Sequence, residues 1–130
     1  MSKGPPQPGR IKVFFDGGAR PNPGRIEAAV MLRGVAHVFD DLGHGTNRDA
    51  EWLALIKALE LAQDLPAITL LGDAAEVIAQ ASRALKTGHT PHAHAARFLA
   101  LAAKAPPPRL RWIKREQNLA GIALNARHPR

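Results

Sequence analysis

The chain has no cysteine. Disulfides and thiolate-bound metals are therefore excluded, and a reducing, cytoplasmic setting is expected. No apolar run approaches the ~20 residues needed to span a bilayer, so no membrane partner is expected. The opening residues, MSKGPPQPGR, lack the apolar centre of a secretion signal. Residues 1–10 read as a disordered Pro/Gly leader, and 11–130 as one domain without internal repeats. Acidic residues are also few. Eleven of them face 18 lysines and arginines, a net charge of +7. That balance favours a polyanionic partner such as nucleic acid. With 130 residues, 45% of them hydrophobic, the chain can still bury a real core.

The hydrophobic pattern alternates between two periods. Ile11–Phe15, Ile26–Leu32 and Val35–Phe39 read as strands, the last two joined at Arg33-Gly34. From Arg48 the spacing changes. Trp52, Leu55, Ile56, Leu59 and Ala62 form one helical face, which Pro66 ends, and Thr46 with Asp49 offers a capping box. Ala67–Leu71 reads as a buried strand. Asp73–Leu85 and His92–Lys104 read as helices, Leu110–Ile113 as a fifth strand and Leu119–Ala126 as a last helix. The order βββαβααβα predicts an α/β fold: a mixed five-stranded sheet with helices on its faces. Right-handed crossovers would make the first, fourth and fifth strands parallel. Ligands in such sheets sit beyond the carboxyl ends of the parallel strands, where Asp16 and Asp73 fall.

Three acids stand out, each with an ordinary alternative. Asp16 opens the stretch Asp16-Gly17-Gly18-Ala19-Arg20-Pro21-Asn22-Pro23-Gly24 directly after an apolar strand. It could simply start a turn, but a carboxylate beside exposed N–H groups also suits a cation and a phosphate. Glu51, expected in the first helical turn, could merely oppose the helix dipole; its place beside the apolar stripe tilts it toward the sheet. Asp73-Ala74-Ala75-Glu76 fits a capping box without any catalysis. Together, three carboxylates in a basic domain fit hard divalent ions and phosphodiester chemistry.

These motifs, in this order, resemble the ribonuclease H family, type 1, over nearly everything from Ile11 to about Ala126. The resemblance rests on the Asp-Gly-Gly…Asn-Pro-Gly loop from Asp16 to Gly24, on Thr46-Asn47-x-x-x-Glu51, on a strand followed by Asp73, and on the segment Trp112 to Asn118. It implies a ribonuclease H-like sheet and cleavage of the RNA strand of RNA–DNA hybrids. It also implies two Mg²⁺ or Mn²⁺ ions held with substrate by Asp16, Glu51 and Asp73, with Asp16 bridging both. Gly17, Gly18, Asn22, Asn47 and Arg48 would contact nucleic acid, Asn22 and Asn47 at the 2′-hydroxyls that distinguish RNA from DNA. The basic helical protrusion of some members is lacking, as in the compact bacterial and archaeal form. A monomer is expected.

The family usually has a fourth acid a few residues after the Asn of its last loop. Here Gly121 and Ile122 occupy the two candidate positions, and no Asp or Glu follows Glu116. Glu116 is the nearest substitute and His128 could reach only if the tail folds back, each reading first as a solvent-facing group; reduced or Mn²⁺-favouring activity is expected. The alternative is a ribonuclease H-like module that holds nucleic acid without cutting. A resolvase or exonuclease of the same broad fold fits Asn22 and Asn47 less well. The cluster His89, His92 and His94 reads as a solvated loop rather than a metal site. Trp52 reads as core and Trp112 as packing, while Lys104, Arg109, Arg111, Lys114 and Arg115 form a basic stretch suited to phosphates.

Overall fold

The computed structural model describes residues 9–104 and 106–128, so residues 1–8 of the expected leader lie outside the described residues. The strands are β1 (Ile11–Arg20), β2 (Gly24–Leu32), β3 (Val35–Phe39), β4 (His44–Gly45), β5 (Ile68–Gly72) and β6 (Arg109–Trp112). The helices are α1 (Asn47–Leu61), α2 (Ala75–Thr87), α3 (Ala93–Ala102) and α4 (Leu119–Asn125), with a 3-10 turn at Arg115–Gln117 before α4. The sheet runs β3-β2-β1-β5-β6. β1, β5 and β6 are parallel, as right-handed crossovers require, and β1, β2 and β3 form an antiparallel meander. Arg33 and Gly34 both take positive φ, 53° and 79°, which matches the twist of a two-residue hairpin.

Two expectations are corrected. The sheet has six strands, because His44–Gly45 pairs with the start of β2. A two-residue bridge has no periodicity to betray it. And β1 does not end at Phe15. Its parallel pairing with β5 stops at Phe14, but its antiparallel pairing with β2 continues to Arg20. Asp16 thus lies inside a strand, two residues beyond the last parallel pair, rather than at a turn.

Successive residues of β1 face opposite sides of the sheet. Val13 and Phe15, with Ala28 and Val30 of β2, join α1, α2 and α3 in the main core. Phe14, Ala29 and Met31 pack on the other side against Ala120 and Leu124 of α4. Trp52 is buried in the main core, as expected. At Gly17 the sheet and α1 nearly touch: a Cβ there would stand 2.2 Å from the Ala50 carbonyl oxygen. No helix among the described residues is long and apolar enough to cross a membrane.

Candidate active site

The three acids reach one place by different routes. β1 alternation turns Asp16 toward the α4 side of the sheet, where a Cβ on Gly121 would sit 3.3 Å from Asp16 Oδ2. Glu51 comes from α1, whose start is set by Thr46. The Thr46 hydroxyl accepts from the Asp49 N–H at 3.1 Å, and Asp49 Oδ2 accepts from the Thr46 N–H at 2.9 Å. The helix begins at Asn47, so Glu51 falls in the second turn. The dipole effect has faded there, and that ordinary explanation weakens. Asp73 directly follows β5. Ala74, not Asp73, is the N-cap of α2, and no side chain caps that helix, so the capping explanation fails too.

Asp16, Glu51 and Asp73 all line one cavity of about 380 Å³, open to solvent. Burial, then the charges of Asp73 and Glu51, push the Asp16 carboxyl up to about 7; the Arg115 guanidinium and the Gly17 N–H oppose the rise. Burial and then Asp73 also raise Glu51. These are carboxylates in want of positive charge. Yet no three His, Cys, Asp or Glu side chains among the described residues stand close enough to hold an ion by themselves. The two findings agree physically: uncompensated carboxylates repel, and Mg²⁺ is ordinarily completed by waters and substrate oxygens. An all-oxygen carboxylate set suits Mg²⁺ or Mn²⁺ and does not suit softer ions.

Asn118 ties the site together. It is fully buried. Its Nδ2 donates to Asp73 Oδ2 at 3.2 Å and to the Phe15 carbonyl at 2.9 Å, while its Oδ1 caps α4 by accepting from the Ala120 N–H at 3.1 Å. One side chain thus joins the middle of β1, Asp73 and the helix facing Asp16.

No family model matches the chain. It is 40% identical over 90 residues to Ribonuclease HI of Halobacterium salinarum. That stretch is 64% of this chain and 45% of the relative, so the chain matches about half the relative's length. Its fold superposes on the crystal structure of RNase H1 from the same archaeon with a TM-score of 0.67 and 26% identity, covering 89% of this chain and 94% of that one. In sequence and fold, this chain is similar to ribonuclease HI proteins. LC11-RNase H1, solved in complex with an RNA/DNA hybrid, shares the fold at a TM-score of 0.67 and 22% identity, covering 88% of this chain and 93% of that one.

Against that family pattern the remaining expected residues divide. Gly17, Gly18 and Asn47 line the cavity with the acids. Asn47 Oδ1 accepts from the Ala19 N–H at 2.9 Å, and Asn22 Oδ1 accepts from the Asn47 N–H at 3.0 Å. Asn22 is exposed beside the cavity, and Arg48 is engaged by Glu76 instead of bordering it. Of the two candidate fourth-acid positions, Gly121 is buried against Asp16 and has no room to spare. Both line the cavity, but Ile122 is 55% exposed, so it holds the place from which an acid would reach in. Glu116 also lines the cavity. His128 does not: its Nε2 is 2.5 Å from Glu27 Oε2, and it lines a separate cavity.

Arg20 and Arg115 also border the active cavity. Sequence reasoning missed Arg20 and held Arg115 only as part of a basic stretch; the cation following a strand end was the available signal. The His cluster is split. His94 stacks on Trp52 and meets Asp49 Oδ1 at 3.0 Å, whereas His89 and His92 line another cavity. Trp112 departs from the packing expectation, being 49% exposed.

Proposed function

We propose that this protein is a metal-dependent endoribonuclease that hydrolyses the RNA strand of RNA–DNA hybrids. The observation that carries the reading is the shared cavity of Asp16, Glu51 and Asp73, in which burial, and then repulsion from the other two acids, lift Asp16 to about 7. These three would hold Mg²⁺ or Mn²⁺, two ions with substrate. Such ions supply an activated water and stabilise the leaving oxygen. Asn118 orients Asp73 and the wall formed by α4. Arg115 and Arg20, on the cavity rim, attract the phosphate backbone. With their amide oxygens engaged by backbone N–H groups, Asn47 and Asn22 keep their NH₂ groups to donate to ribose 2′-oxygens. The described chain by itself brings all three acids to the cavity, which supports a monomer as the acting unit.

The test is cleavage of a labelled hybrid, duplex DNA and duplex RNA, each with Mg²⁺ and with Mn²⁺, beside Asp16→Asn. Hybrid-selective cleavage, stronger with Mn²⁺ and lost in the variant, is expected. Equal cleavage of all three duplexes, or full activity of Asp16→Asn, would refute it. Ile122 supports a second reading. An apolar side chain at the fourth-acid position fits a module that binds hybrid without cutting, which tight binding with no turnover in either metal would establish.

A further inference from the structure

Trp112 is not used by the proposed chemistry, yet its placement is unusual. It ends β6, the edge strand of the sheet, and is 49% exposed, whereas Trp52 is 2% exposed. Its indole Nε1 donates to the Asp73 carbonyl at 3.1 Å. The ring is therefore held by its polar edge against the residue whose carboxylate lines the catalytic cavity, while its apolar surface meets water. Leu110, on the same side of the strand, packs against the main core, but the cover stops before Trp112. Cations surround it in sequence: Arg111, Lys114 and Arg115 are all exposed, and Arg115 borders the cavity. An exposed aromatic ring beside cations suits one occupant, a nucleic acid strand whose base stacks while its phosphates meet the charges. Within a duplex the bases already stack on each other, so the ring can take only an unpaired one.

We propose that Trp112, with Lys114 beyond the end of the strand, forms a subsite for the unpaired nucleotide where a single strand leaves the hybrid held in the active cavity. The inference rests on the hybrid reading of that cavity. It gives the protein a preference for hybrids carrying a single-stranded tail over blunt ones.

The test uses the full chain as Asp16→Asn, which keeps the substrate intact, and follows tryptophan emission on titration with a blunt hybrid and with the same hybrid bearing a short tail on each end of each strand in turn. Buried Trp52 serves as a silent internal reference, so quenching by ligand reports on Trp112. One tailed hybrid should bind about ten-fold tighter than the blunt one and quench more strongly. For the variants, which lack the reporting indole, binding is followed by the anisotropy of an end-labelled hybrid: Trp112→Phe should keep that preference and Trp112→Leu should lose it; both keep a ring or an apolar group at the site, and unchanged Trp52 emission checks the fold. Blunt and tailed hybrids bound equally, or the preference retained in Trp112→Leu, would overturn the subsite and leave hybrid cleavage by the wild-type chain untouched. If the wild type instead cuts no hybrid while the tailed preference persists, the cleavage reading fails and the subsite stands.

Discussion

Replacing Asp16 by Asn should make the metal-free protein more stable, and increasingly so as pH rises. The folded Asp16 carboxyl is pushed from an ordinary value of 3.8 to about 7. The folded state thus prefers the protonated acid. Stability is fully present below the unfolded pKa and is lost as pH rises through the folded one. The full shift sets a ceiling of about 4 kcal/mol above pH ~7, at 1.36 kcal/mol per unit. Between pH 5 and pH 8 the part that develops is at most about 3 kcal/mol, and about 1–2 kcal/mol is expected because the cavity is open to water. Urea unfolding of wild type and Asp16→Asn in chelator, at both pH values, measures it; titrating groups far from Asp16 cancel in the difference, and relief of Glu51 and Asp73 acts in the same direction. Adding Mg²⁺ should then restore the wild type alone, because an ion that binds only the folded chain stabilises it by mass action. A gap between the two proteins that stays constant with pH, or a variant less stable at pH 8 than at pH 5 relative to wild type, would refute the reasoning.

Other perturbations reach different parts of the site. Ile122→Asp puts a fourth carboxylate on the cavity wall and should tighten Mg²⁺ binding about ten-fold by calorimetry and raise Mg²⁺-supported turnover. Unchanged affinity would show that position 122 does not face the ions. Asn118→Ala strands the Phe15 carbonyl and uncaps α4; it should cost about 2–3 kcal/mol in urea unfolding and lower kcat more than it raises KM, since Asp73 loses its orienting donor. Gly17→Ala drives a methyl group into the Ala50 carbonyl and should destabilise by about 3 kcal/mol or more, with β1 and α1 forced apart. A melting temperature equal to wild type would disprove that close approach.

The fold was largely legible because its signals are local. β-branched and aromatic runs, a shift from period two to period 3.6 at Arg48, and Thr46 with Asp49 mark strands and a helix start from neighbouring residues alone. The order of those elements, with crossover handedness, was enough to place β1, β5 and β6 parallel. The three acids could be nominated on the same basis, but each kept a mundane local explanation. Tertiary structure set all three aside, by carrying β1 through Asp16, by starting α1 four residues before Glu51 and by leaving Asp73 outside the cap of α2. It also decided what no local pattern encodes. β1 continues past Phe15 because β2 pairs there, and Asn118 reaches Asp73 across 45 positions of sequence. Ile122 has open space where Gly121 is packed against Asp16, His128 is drawn away by Glu27, and Trp112 stands half in water. Those outcomes depend on which surfaces meet after the chain has folded, and distance in space, unlike periodicity, is not written in the spacing of residues along the chain.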